Sequence, residues 1–221
     1  MTEQNEAPLL KLTPEERAAA KKVLWEEAKK YTLSCKACAL AETRKTVVFG
    51  DGDPNSRLLF IGEGPGADED EKGIPFVGRA GALLTQILTA AGIDRKEVFI
   101  TNIVKCRPPE NRVPTPAETV ICDRHLQTQI MLMNPSLIVL LGNTPARWIL
   151  QTTEGITKLR GRWFEWRGAA VMPMFHPSYL LRNASSKEGS PKHLTWLDIQ
   201  EVKRQWEAIK AGGDISSIKF G

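Results

Sequence analysis

A chain of 221 residues is long enough to bury one substantial core and too short for two large independent domains. Hydrophobic residues make up 42% and charged residues 25%, globular proportions, and no apolar run reaches the roughly 20 residues that cross a bilayer. The mild basic excess, 30 Lys and Arg against 26 Asp and Glu, suits a polyanion partner without requiring one. The polar start Met1 to Lys11, with Glu3 and Glu6, does not read as a secretion signal, so a cytoplasmic location is expected.

Leu12-Thr13-Pro14-Glu15-Glu16 opens a helix, with Thr13 as cap, Pro14 at the first helical position and Glu16 three residues after the cap. The helix is expected to reach Lys30 and to deliver the chain into Cys35-Lys36-Ala37-Cys38. Arg57 to Gly62 reads as a buried strand emptying into a glycine-rich acidic loop, Glu63 to Asp70. A helix follows from Arg79 to Gly92, then a strand at Val98 to Thr101. The stretch Asn102 to Pro116 carries Pro108, Pro109, Pro114 and Pro116 and excludes a helix or central strand.

Ala117 to Leu132 is helical, and Leu137 to Gly142 gives the strongest buried-strand signal, followed by a helix through Leu150. Trp163 to Trp166 and Ala169 to Met174 form a hairpin across Arg167-Gly168, feeding a loop from His176, and a closing helix covers Leu194 to Ile209. Strands alternating with helices predict an α/β fold, a central mostly parallel sheet flanked by helices in three layers. In such sheets ligands sit beyond the carboxyl ends of the strands, where the Gly62, Asn102 and His176 segments converge.

Cys35 and Cys38 form a close pair, 67 residues separate Cys38 from Cys106, and 15 separate Cys106 from Cys122. In a reducing cytoplasm these four cysteines suit a metal better than disulfides, and spacing alone leaves zinc and a four-iron cluster both open. Gly62-Glu63-Gly64-Pro65-Gly66 suggests anion binding but is neither a dinucleotide fingerprint nor a Walker loop. The like charges Glu63, Asp68, Glu69, Asp70 and Glu71 beside it would be relieved by a cationic ligand or a developing positive charge. His125 and His193 read as structural, whereas His176 is fixed by Pro177 and Ser178 at a strand end.

Four stretches together resemble the family-4 uracil-DNA glycosylases, the iron–sulfur branch of the uracil-DNA glycosylase superfamily. They are Gly62 to Asp70, Gly73 to Gly81, Thr101 to Pro109 and His176 to Arg182, and they span most of the chain. The resemblance implies a single domain over residues 1–221 with the helical segment 12–40 tied on by a structural [4Fe-4S] cluster on Cys35, Cys38, Cys106 and Cys122. It implies hydrolysis of the glycosidic bond of flipped deoxyuridine in DNA. Phe76 would stack on uracil, Asn102 would read its edge and His176 would donate to O2, while the Gly62 to Gly66 segment, with Glu63 and Gly64 in it, would position the attacking water. The aspartate that activates water in the best-known uracil glycosylases has no counterpart here, and the proline-rich region lacks the histidine of the covalently trapping branch.

On this reading Glu63 or Glu69 favours the cationic sugar, and Glu69 is the candidate to crowd out the thymine methyl group. Arg107, Arg112, Lys105 and Arg182 are expected on a phosphate rim, with Tyr179, Leu180 or Leu181 as a wedge. The polar stretch Asn183 to His193 reads as a DNA-side loop or a solvated excursion. The expected partner is uracil-containing DNA, met as a monomer without a membrane and with contacts to other repair or replication proteins. The competing readings are a damaged-DNA-binding protein without turnover and a magnesium-dependent nucleotide hydrolase.

Overall fold

The computed structural model describes residues 13–183 and 185–221; the polar start, and residue 184 of the predicted loop, lie outside them. The chain order is α1 (Pro14–Leu33), α2 (Leu40–Thr43), β1 (Asp51–Gly52), β2 (Leu58–Gly62), α3 (Ala67–Lys72), α4 (Arg79–Ala90), β3 (Phe99–Asn102) and α5 (Pro116–Met133). It continues with β4 (Leu137–Leu141), α6 (Asn143–Leu150), α7 (Ile156–Leu159), β5 (Phe164–Trp166), β6 (Ala169–Met174), α8 (Pro177–Arg182) and α9 (Pro191–Lys210).

The six strands lie in the order β1-β3-β2-β4-β6-β5, with β3, β2, β4 and β6 parallel and the two edge strands antiparallel to their neighbours. Every residue of β2, β3, β4 and β6 is buried, as a parallel sheet covered on both faces requires. Alternation along β2 divides the core. Leu58 and Phe60 face the layer holding Leu84, Leu88, Ile199 and Trp206 of α4 and α9. Leu59 and Ile61 face Trp25, Leu126 and Ile149 of α1, α5 and α6. Pro173, which has no N–H to give a ladder, stands in β6 beyond the three residues that pair with β5.

The α1 capping box forms as its sequence predicts, Thr13 accepting from the Glu16 N–H and Glu16 from the Thr13 N–H, and the helix runs to Leu33. It packs against α5, with a Thr32–His125 hydrogen bond of 3.0 Å between them, and its Trp25 meets Phe49 and Phe99 edge-on at 5.3 and 5.1 Å. His125 is structural, and burial pushes its imidazole down to about 4.

Two expectations need correction. The acidic loop after Gly64 winds into α3, and the segment after His176 is the helix α8; both are six residues long, too short for periodicity to announce them. A third signal was legible but unread. Thr115-Pro116-Ala117-Glu118 repeats the pattern of the α1 start, and α5 accordingly begins at Pro116 with its own capping box.

Glu118 closes that box and also takes a two-pronged contact from Arg112, at 2.8 and 2.6 Å, which holds its carboxyl down to about 2. A carboxyl lowered on folding contributes stability that is present above its ordinary range, near 4.5, and is lost as pH falls toward 2. Glu118→Gln should therefore lower the thermal midpoint at neutral pH, and the gap to wild type should shrink as pH falls through about 4, followed by calorimetry. A gap independent of pH would show that the pair contributes only shape.

Candidate active site

The carboxyl ends of the parallel strands enclose a cavity lined by Glu63, Gly64, Glu69, Phe76, Asn102, His176 and Arg182. Register puts Gly62, the last residue of β2, beside Asn102, the last of β3. A Cβ at Gly62 would stand 2.4 Å from Asn102 Oδ1 and 2.6 Å from the Phe76 ring, so glycine is required here by space alone. Asn102 is 2% exposed and its Oδ1 has no hydrogen-bond partner. A buried oxygen left without a donor is costly unless a ligand supplies one.

Phe76 adopts a left-handed backbone with φ of 53°, a strained conformation for an aromatic residue, costing on the order of 1 to 3 kcal/mol. Its segment is clamped from three directions. Arg95 donates to the Pro75 carbonyl at 2.7 Å, the bare backbone of Gly81 in α4 leaves no room for a Cβ against the Phe76 carbonyl, and Glu69 accepts from the N–H groups of Val77 and Gly78 at 2.9 and 2.8 Å. The other Glu69 oxygen accepts from Gly66 N–H at 3.1 Å.

The acidic concentration is thus largely satisfied within the chain. Asp70 accepts from the backbone N–H groups of Lys45 and Thr46 at 2.9 and 3.2 Å, Glu71 pairs with Lys45, and the Thr144 hydroxyl at the start of α6 donates to Glu63. The expected need for a cationic ligand does not arise from α3. Glu63 remains on the cavity wall, where a second hollow lined by Thr144, Arg147 and Tyr179 adjoins the first.

His176 caps α8. Its Nδ1 accepts from the Ser178 N–H at 3.1 Å and lies 2.8 Å from the Ser178 hydroxyl, so the ring proton of the neutral form sits on Nε2, at the edge remote from Ser178. Burial, reinforced by Arg182 and opposed by Glu69, pushes the imidazole down to about 4. The ring stands 5.7 Å from that of Phe76, centroid to centroid.

The rim is only partly as expected. Arg112 and Arg182 line the cavity, and Arg107 bonds Asn111 on the exposed surface nearby. Lys105 does not belong there: it is 1% exposed, and its ammonium is enclosed by Thr101, Asn102 and Gln129. Leu180 is likewise buried in the core at 1% exposure and cannot be a wedge, whereas Leu181 beside it is 40% exposed. Neighbouring positions on α8 point to different faces, Leu180 inward and Leu181 outward, which reading the segment as a loop conceals.

Cys35, Cys38, Cys106 and Cys122 face one small hollow, bounded also by Arg44, Lys105 and His125. Arg44 donates to Cys106 Sγ at 3.2 Å, the Lys105 N–H to Cys122 Sγ at 3.3 Å and Arg124 to Cys35 Sγ at 3.5 Å. Burial pushes the Cys106 thiol up to about 11, against the pull of Arg44. Among the described residues, no three His, Cys, Asp or Glu side chains are gathered tightly enough for a single metal ion.

Residues 49–200 match the Uracil DNA glycosylase superfamily. The chain is 47% identical to the type-4 uracil-DNA glycosylase of Thermotoga maritima over 81% of its own length and 91% of that protein. It is 40% identical to the type-4 enzyme of Sulfurisphaera tokodaii over 74% and 78% of the two chains. Similarity to the type-5 uracil-DNA glycosylase of Thermus thermophilus is 37% but covers 39% of this chain. The chain therefore belongs to the uracil DNA glycosylase superfamily. Within it, identity is higher to these type-4 members than to the type-5 enzyme of Pyrobaculum aerophilum, which is 31% identical over 70% of this chain and 72% of that protein.

The neutral state of His176 can be read directly. An NMR titration of its imidazole should show no protonation between pH 8 and about 5.5, with the midpoint near 4 and the Nε2–H tautomer above it. A midpoint at the ordinary histidine value would contradict the buried, Ser178-bonded geometry.

Proposed function

We propose that the chain is a uracil-DNA glycosylase, hydrolysing the N-glycosidic bond of deoxyuridine flipped from DNA and leaving an abasic site for base excision repair. The observation that carries this reading is the buried, unpartnered Oδ1 of Asn102 at the wall of a cavity shared with Phe76 and a neutral imidazole. Uracil offers an N3–H to that oxygen and an O4 to the amide nitrogen, a pattern that cytosine lacks. A base must leave the duplex to reach such a cavity.

Phe76 would stack on the extruded base, and His176 would donate from Nε2 to O2 more strongly as negative charge develops on the leaving uracil. Glu63, held by Thr144, and the Gly62-Glu63-Gly64 backbone would orient water and steady the positive sugar. Glu69 serves in this scheme by fixing the Phe76 segment, since its oxygens are taken by Gly66, Val77 and Gly78. Arg112 and Arg182 would meet phosphates, with Leu181 or Tyr179 entering the vacated stack. The non-catalytic DNA-binding reading is not favoured by the relatives, which are named as glycosylases.

The cysteines fit a [4Fe-4S] cluster of structural role. Four thiols line one hollow, and N–H donors to sulfur complete its surroundings, the environment that a thiolate-held cluster uses. The cluster would supply no reaction chemistry; it would fasten α1 and the segment after it to the segment following β3 and to α5, making one domain of the chain. We place the enzyme in the cytoplasm as a monomer on uracil-containing DNA, with repair or replication proteins as further contacts.

Incubation with uracil-containing single- and double-stranded DNA, then alkali, should cut the strand at each former uracil. Asn102→Asp keeps the shape of the side chain but sets a carboxylate against O4, and uracil excision should fall at least about a hundredfold. Full-length DNA surviving excess wild-type enzyme would overturn the function, and undiminished excision by the variant would remove Asn102 from base reading. Anaerobically purified protein should contain about four irons per chain; one tightly held zinc without iron would refute the cluster.

A further inference from the structure

Lys105 lies between the two centres of the molecule and serves neither as a surface charge nor as a rim contact. Its backbone N–H donates to Cys122 Sγ at 3.3 Å, its neighbour in sequence is Cys106, and its carbonyl accepts from Val48 at 2.8 Å. From this anchored position the side chain turns back toward the end of β3. Its ammonium has three protons and meets three oxygens, Thr101 Oγ1 at 2.6 Å, Gln129 Oε1 at 2.6 Å and the Asn102 carbonyl at 2.8 Å. Thr101 and Gln129 are themselves fixed, each donating to the Phe49 carbonyl, at 2.9 and 2.8 Å.

A buried ammonium whose direct partners are all uncharged oxygens is a costly device, and a Leu or Met of similar volume would fill the same space. What the hydrocarbon could not do is hold the Asn102 carbonyl. Past Asn102, the last residue of β3, the N–H groups of Ile103 and Val104 still donate to the Gly62 and Glu63 carbonyls at 2.9 and 3.2 Å, while the Asn102 carbonyl is held by the Lys105 ammonium and its Oδ1 must stay within the narrow space that Gly62 leaves open. We propose that Lys105 is a positioning residue for base recognition: its ammonium grips the Asn102 backbone and holds the side-chain amide in register with the flipped base, using the cysteine-lined segment as its fixed point. The inference rests on the reading of Asn102 as the uracil-contacting amide.

The test is a double-substitution cycle read by the inhibition constant of free uracil, measured on the purified full chain with its iron content verified. This constant is a property of the folded enzyme and does not change with the fraction folded, so a merely destabilising role would leave it unmoved. Lys105→Met should weaken uracil binding about tenfold and lower kcat by a similar factor, with KM for DNA little changed. In an Asn102→Ala background the same substitution should have no further effect on uracil binding, because Lys105 acts through Asn102. Should Lys105→Met not fold, Lys105→Gln, which keeps an amide donor but not the charge, carries the same cycle with a smaller effect. An unchanged uracil constant in the Lys105 variant, or an equal loss in both backgrounds, would overturn the proposal. If Asn102→Ala alone leaves uracil binding unchanged, the base-reading assignment fails first and the two failures are told apart.

Discussion

Three segments far apart in sequence meet at the end of β2 because Gly62 has no side chain. The Asn102 amide and the Phe76 ring occupy the volume that a Cβ would need, and neither could approach the other otherwise. The sheet brings Asn102 there by register, while Phe76 is pressed there in a strained conformation by Arg95, Gly81 and Glu69. Rigid packing of this kind keeps a cavity preformed in place of one that the substrate must open, and binding then costs less ordering.

The same economy governs the charges. Carboxylates that look, in sequence, like a field awaiting a cation are mostly occupied with backbone N–H groups at turns and helix starts. The buried side-chain nitrogens and oxygens left without partners among the described residues are Asn102 Oδ1 and His125 Nε2, and only the first lies on the cavity. His176 is kept neutral by burial and aimed by Ser178. In the proposed reaction such a neutral donor would cost little to keep beside an uncharged base and would gain strength as the leaving uracil becomes anionic.

Much of this was legible from the residues. Apolar runs such as Leu137 to Leu141 identify parallel strands because both faces are covered, and their carboxyl ends give the site its place. The family motifs then pick out Phe76, Asn102 and His176, all three of which line the cavity. What escaped was the tertiary use of short or buried elements. Six residues do not carry a helical period, so α3 and α8 read as loops, with Leu180 offered to DNA and the Glu69 carboxylate to the sugar or the thymine methyl group in place of the backbone N–H groups it serves. A lysine beside an arginine in Lys105-Cys106-Arg107 looks like surface charge, and only the fold reveals the enclosing oxygens. The Arg112–Glu118 pair is silent in sequence for the same reason, although the capping signal at Thr115 was there to be read.

The central claim is that the unpartnered Asn102 oxygen awaits the N3–H of uracil. Calorimetric titration of the intact protein with uracil and with N3-methyluracil tests it without any catalytic step. The account predicts binding of uracil and a loss of at least about tenfold for the methylated base, which has no proton to give and crowds the oxygen. Equal affinity for the two would contradict it.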